Sequence, residues 1–305
     1  MDLDLPLALA GLGVGFVVGL TGMGGGALMT PLLVLVFKVP PLAAVSSDLV
    51  ASMVMKPIGG GVHLRRGTVN LRLVGWLTLG SVPAAFASVW ALHLAHDQQA
   101  VNDFVQRAVG VALLLASVGL TAKGAFSGRR TGADDALAEI QVRRARTLLI
   151  GVFGGVMVGL TSVGSGSLMM VLLLLLYPAL SSRQLVGTDL VQAIPLVASA
   201  AIAHLLFGSV QLDVTASLLV GAVPGVYLGA RISSRAPDHV VRPILAAVLV
   251  VSGLKMLGVA SAVVGVVGAA LVAIALATGL RHRGSPVVAY GPSPRPPAGE
   301  ADPDG

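Results

Sequence analysis

Two stretches dense in glycine and hydroxyl residues carry the chain's clearest chemical signal: Leu20-Thr21-Gly22-Met23-Gly24-Gly25-Gly26-Ala27 and Leu160-Thr161-Ser162-Val163-Gly164-Ser165-Gly166-Ser167. Each falls between two short apolar runs, 5–20 and 27–37 in the first case, 147–160 and 167–177 in the second. Glycine lets backbone amides approach a ligand closely. A helix starting at Ala27 or Ser167 turns its free N–H groups and positive dipole end toward the break, which is anion-binding chemistry. The candidate substrate contacts are therefore Thr21, Gly22, Met23, Gly24, Gly25 and Gly26, with Thr161, Ser162, Gly164, Ser165, Gly166 and Ser167 in the second stretch. The competing reading is close helix packing through small residues. That reading suits Gly11, Gly15 and Gly19, and Gly151, Gly155 and Gly159, but glycine at the density of the breaks would weaken a packing helix.

Only three formally charged residues lie well inside apolar segments: Asp48, Lys56 and Asp189. An ionised group costs at least about 2.5–3.5 kcal/mol at the centre of a spanning helix, so each is a functional candidate. Asp48 and Asp189 follow hydroxyls, Ser47 and Thr188, and could instead cap a helix first turn. Near an anion site an unpaired carboxylate repels the substrate unless it is protonated, which makes Asp48 and Asp189 candidate proton-coupling groups. Lys56 could attract an anion or neutralise Asp48, the alternative being a lysine that snorkels to the interface. Ser47 and Thr188 join the substrate-binding candidates. His63 and His204 are either interfacial histidines bonded to backbone or members of a proton relay.

These groups need elements to position them, and the composition says what kind. Of 305 residues, 55% are hydrophobic and 11% charged, against about 25% charged in a soluble domain. Apolar runs at 42–62, 71–92, 104–122, 184–206, 214–231, 242–257 and 259–280 approach or exceed the roughly 20 residues a spanning helix requires. The expectation is an all-α integral membrane protein. The chain has no cysteine, which excludes disulfides, thiolate metal sites and cysteine nucleophiles; no metal site and no cofactor is expected. The net charge of +6 does not point to nucleic acid, because sixteen of the twenty Lys and Arg fall in a few loops.

The chain repeats itself. Residues 11–29 and 151–169 are identical at ten of nineteen positions, and Val45–Val50 aligns with Val186–Val191, bringing Asp48 onto Asp189. The same register pairs His63 with His204 and Pro83 with Pro224. The sequence divides into a membrane repeat at 1–122, a basic cytoplasmic linker at 123–146 with a short surface helix around 134–146, and a second repeat at 147–257. An extra C-terminal transmembrane helix at 258–281 and a disordered cytoplasmic tail at 282–305 follow. Five apolar segments per copy, with the N-terminus outside, put the basic loops, linker and tail in the cytoplasm. Five is odd, so the copies enter the membrane from opposite faces as inverted repeats. Each copy is then a broken, re-entrant helix pair plus three transmembrane helices, and Pro83 and Pro224 kink the fourth segment.

Gly22-x-Gly24-Gly25-Gly26, the run Val45-Ser46-Ser47-Asp48-Leu49-Val50-Ala51-Ser52-Met53-Val54-Met55-Lys56, the glycine-rich stretch to His63 and Gly67-Thr68-Val69 resemble the sulfite exporter TauE/SafE (TSUP) family, as does Val186-Gly187-Thr188-Asp189-Leu190. The resemblance covers roughly residues 5–257. It implies a bacterial inner-membrane permease for small sulfur-containing or organic anions, such as sulfite or sulfonates, driven by an ion gradient. The second break departs from the pattern at Ser162-Val163 and Ser165. The function expected is a secondary transporter of a small anion, proton-coupled and working by alternating access, with lipid, anion and proton as its partners. The alternatives are a cation-coupled exchanger or channel, and an intramembrane enzyme using Asp48 and Asp189 as a shared-proton pair. Two aspartates at the same place in two copies suit a transporter better than an enzyme, which needs unlike roles.

Overall fold

Lipid tails are as apolar as leucine, so helices in a bilayer associate through close packing and hydrogen bonds rather than by escaping solvent. The glycine spacing of this chain therefore decides which helices meet. A computed structural model describes residues 4–21, 25–65, 67, 69–127, 141–166, 168–178, 180, 182–232 and 238–282. Among them it has eleven helices and no strand: α1 (Leu5–Thr21), α2 (Gly26–Leu35), α3 (Pro41–Arg65), α4 (Leu71–His93), α5 (Gln98–Ser127), α6 (Arg144–Thr161), α7 (Leu168–Leu176), α8 (Ser182–Phe207), α9 (Leu212–Ile232), α10 (Asp238–Met256) and α11 (Ser261–His282). Five of them, α4, α5, α6, α8 and α9, are long and apolar enough to cross a membrane. Large apolar side chains such as Leu79, Phe104, Val118, Leu149, Leu206 and Val266 stand exposed on the outside, as a lipid-facing surface requires. The chain is a multi-pass all-α membrane protein.

Two glycine seams do much of the packing. Gly11, Gly15 and Gly19 of α1 lie against Leu218, Ala222 and Val226 of α9 in that order, so these helices run parallel. Gly151, Gly155 and Gly159 of α6 meet Leu77, Ser81 and Ala85 of α4 in the same way. At Gly155 a Cβ would lie 2.8 Å from the Ser81 Cα, closer than atoms can pack. Overpacking costs roughly 1–3 kcal/mol or more. Gly155→Val should lower the thermal unfolding temperature in detergent by about 3–10 °C, whereas Gly13→Val, with nothing within 4 Å, should leave it unchanged.

The other main pairings join matching helices of the two sequence repeats. α3 crosses α8 antiparallel, with Ser46 beside His204 at one end and Gly60 beside Ile194 at the other. α5 and α10 are also antiparallel, Gln106 donating to the Met256 carbonyl and Ser117 to that of Ala246. Even the turn contacts are duplicated. Asn70 N–H, just before α4, donates to Thr188 Oγ1 at 3.1 Å, and Gln211 N–H, just before α9, donates to Ser47 Oγ at 3.3 Å. α2 lies on α3, and α7 touches α6 and α8. At ten and nine residues, α2 and α7 are about 15 and 14 Å long, half the hydrocarbon thickness. α11 packs against α10.

Some expectations need adjusting. α5 continues to Ser127, so the first five residues assigned to the linker are helical. The surface helix expected around 134–146 falls partly on residues 128–140, outside the described residues; α6 begins at Arg144. The tail from 283 onward also lies outside them. Pro83 and Pro224 sit inside α4 and α9 as expected.

Candidate functional site

The second break is a tight backbone fold between α6 and α7. Ser162 takes the left-handed conformation (φ 58°), and Gly164 and Gly166 follow with φ of 120° and 112°. Those two values lie where L side chains are strained, which explains the glycines. Thr161 closes α6 by donating to the Met157 carbonyl one turn back and accepting from Val163 N–H at 3.1 Å. Thr21 ends α1 in the same manner, donating to the Val17 carbonyl at 2.8 Å. Of the first break, Gly25 and Gly26 are among the described residues. Gly25 caps α2 without a side-chain hydrogen bond. Gly22, Met23, Gly24 and Ser167 lie outside the described residues.

The two breaks touch. A Cβ on Gly26 would run into the backbone carbonyl of Ser162, so the entrance of α2 rests directly on the turn that leaves α6. Asp48 and Lys56 of α3 both reach this junction. Asp48, fully buried, accepts through Oδ2 from Ser162 Oγ at 2.5 Å and from Thr30 Oγ1 of α2 at 3.2 Å. Its Oδ1 has no hydrogen-bond partner among the described residues and faces Gly25, whose Cβ position lies 3.8 Å away. Lys56 Nζ donates to Ser165 Oγ at 2.5 Å. Asp189 is buried on α8, and Gly60 of α3 packs against its neighbour Leu190.

Several expectations about these residues are settled by position. Asp48 and Asp189 each lie seven residues past the helix start, so neither caps a first turn. Lys56 turns inward to Ser165 rather than snorkelling to an interface. Ser47 and Thr188, expected to contact substrate, accept through their hydroxyls from Gln211 N–H and Asn70 N–H in the turns before α9 and α4. Of the expected site residues that are described, Ser162, Ser165, Gly25, Gly26, Asp48 and Lys56 come together at the junction. Thr30 and Ser52 were not foreseen. Ser52, one turn beyond Asp48, lies 3.7 Å from the Gly25 Cβ position. A hydroxyl one turn from a buried aspartate would have pointed to Ser52; Thr30, inside a short apolar helix, gave no such sign.

His204 is buried in the last turn of α8. Its Nε2 donates to the Gly159 carbonyl at 2.9 Å, two residues before the end of α6, and its Nδ1 is hydrogen-bonded to Ser46 Oγ at 2.7 Å. It pins α8 to α6 and α3. Gly208 is small for the same reason, since a Cβ there would meet the imidazole and Ser46. His204→Ala leaves a buried carbonyl unpaired and a cavity, and should destabilise by about 2–4 kcal/mol. His204→Gln, which keeps a donor and an acceptor, should recover much of that in thermal unfolding. The side chain of His63 lies outside the described residues.

The sulfite exporter TauE/SafE family profile matches residues 7–256. The chain belongs to that family. Among curated proteins, the probable membrane transporter protein YjnA of Bacillus subtilis (strain 168) is 38% identical over 258 residues, covering 84% of this chain and all of the relative. The probable membrane transporter protein YdhB of the same organism is 23% identical over 245 residues, 80% of this chain and 96% of its own length. No solved structure matches the chain. Family membership makes this a membrane transporter and not an enzyme, so the intramembrane hydrolase alternative is set aside. The family match ends at Met256, just before α11.

Proposed function

We propose that the chain is a secondary transporter of a small anion, sulfite or an organosulfonate, in the bacterial inner membrane. It is coupled to protons and works by alternating access between two halves inserted with opposite orientation. The observation that carries this reading is the junction itself: the turn between α6 and α7 rests on the start of α2, and a lysine and an aspartate from α3 hold its two serines. Lys56 supplies the positive charge, Ser162 and Ser165 supply hydroxyls, and the amides at Gly25 and Gly26 supply further donors. Asp48 and Asp189, both buried, are the groups that take up the coupling proton. The antiparallel crossing of α3 with α8 and of α5 with α10 supports the opposed orientation of the halves. The basic loops support a topology with the N-terminus outside and the linker and tail in the cytoplasm.

The test is transport into vesicles holding the purified protein. Labelled sulfite or a sulfonate should accumulate in response to an imposed pH gradient. Cation flux independent of any anion would replace this reading with that of a cation exchanger or channel. Asp48→Asn should weaken pH-driven accumulation by about tenfold or more. Anion binding should be kept or tightened, because one negative charge near the anion is gone while an acceptor for Ser162 remains. Unchanged pH-driven uptake would remove Asp48 from the coupling step.

A further inference from the structure

One oxygen of Asp48 is left over. Its Oδ2 accepts from both Ser162 Oγ and Thr30 Oγ1, so two hydroxyls occupy that atom. Oδ1 is buried, has no hydrogen-bond partner among the described residues, and lies 3.8 Å from the Gly25 Cβ position. Gly25 caps α2, a helix of ten residues, and supplies no side-chain hydrogen bond to its first amides. Two unmet needs therefore adjoin: amides that require an acceptor, and a buried carboxyl oxygen that requires a partner. A metal cation would suit the oxygen but would meet the positive end of α2 and the ammonium of Lys56, which donates to Ser165 in the turn that also holds Ser162. An anion would suit the amides but would meet a carboxylate. A proton on Oδ1 reconciles the two, because the carboxyl then donates where the amides donate.

We propose that Asp48 is itself a substrate-binding group: protonated on Oδ1, it donates a hydrogen bond to an oxygen of the anion received by the uncapped start of α2. This rests on the anion-transporter reading above, and adds the atom that carries the proton and its contact with the substrate. The ligand class is an oxyanion, since its oxygens must accept from Oδ1–H and from the amides together. Proton and anion bind as a pair, each raising the affinity of the site for the other. Among the described residues, few other groups could set a pH dependence there. α2 carries no ionisable residue, and Lys56 is the charged neighbour on α3. On α8, packed against α3, His204 is bonded through both ring nitrogens to Ser46 and Gly159, and Asp189 is the other buried acid. Arg65 of α3, Asp103 and Arg107 of α5, Arg144 and Arg146 of α6, and Asp213, Tyr227 and Arg231 of α9 are exposed.

The experiment is titration calorimetry on the full chain in detergent, with methanesulfonate, a permanent monoanion, from about pH 5 to about pH 9, a range that covers buried carboxylates. The wild-type dissociation constant should rise with pH, approaching about tenfold per pH unit. In Asp48→Asn the amide supplies a permanent N–H in place of Oδ1–H and an oxygen for Ser162 and Thr30, so binding should be tight and independent of pH. Asp48→Ala removes the charge without supplying a donor, and should bind at least about tenfold more weakly than Asp48→Asn. Equal affinity of those two variants would reduce Asp48 to a source of repulsion and overturn the proposal. Asp189→Asn should keep the wild-type slope; loss of the slope there, or its survival in Asp48→Asn, would also overturn it. At the acidic end, the infrared carbonyl band that Asp48→Asn lacks should shift when methanesulfonate binds. A band that stays in place would overturn the proposal whether or not Asp48→Ala folds. Any of these failures, with pH-driven accumulation of the anion in vesicles, would leave the transporter reading standing; neither binding nor accumulation would overturn both.

Discussion

Replacing Lys56 with methionine should weaken anion binding by between about 30-fold and 3,000-fold. The estimate follows from removing one partner of a buried charged contact, about 2–5 kcal/mol at 1.4 kcal/mol per tenfold. The ammonium is the only positive charge placed at the junction among the described residues, and it donates to Ser165 inside the second break. Methionine keeps the length and apolar stem, so helix packing is little disturbed. Titration calorimetry with sulfite on the detergent-solubilised protein gives the dissociation constant directly. Lys56→Arg is not a conservative control, since a planar guanidinium replaces a compact point charge; it should bind the anion with altered selectivity. An unchanged dissociation constant in Lys56→Met would place the anion elsewhere.

Gly26→Ala should abolish transport, while Gly25→Ala should leave the protein folded. The two neighbours differ in what a methyl group would meet. At Gly26 it strikes the Ser162 backbone, which cannot swing aside like a side-chain end, and the two breaks must separate. At Gly25 its nearest neighbours are Met55 at 3.5 Å, Ser52 at 3.7 Å and Asp48 Oδ1 at 3.8 Å, all ordinary contacts. For Gly26→Ala we expect a lower unfolding temperature and at least a tenfold fall in uptake rate. For Gly25→Ala we expect an unchanged unfolding temperature with weaker anion binding, because the methyl group stands over amides proposed to face the substrate. Equal behaviour of the two variants in thermal unfolding would contradict the contact between the breaks.

Much of this was legible in the sequence. The breaks, the buried charges and the register between the copies follow from residue type and spacing. So did the use of Gly151, Gly155 and Gly159 as a packing seam, because spacing by four puts three glycines on one helix face. What spacing did not disclose was contact between distant segments. Ser47 and Thr188 share a short motif with the aspartates, yet neighbours on a helix point about 100° apart, and these hydroxyls serve the following turns instead. The inequality of the copies was visible only as substitutions. Met170 stands where the first copy has Thr30, Val197 where it has Lys56, and Gly22 where the second has Ser162. The structure supplies the reason: Thr30 and Ser162 both serve Asp48, and Lys56 reaches Ser165 across the copies. Thr30, Ser162, Lys56 and Ser165 have no hydroxyl or charged counterpart at the matching position, whereas Asp48 is matched by Asp189.

The glycine seams join α1 to α9 and α6 to α4, so each seam takes one helix from either duplicate. Neither copy closes a seam by itself, and the first helix of each finds its glycine-fitted surface only on the fourth helix of the other.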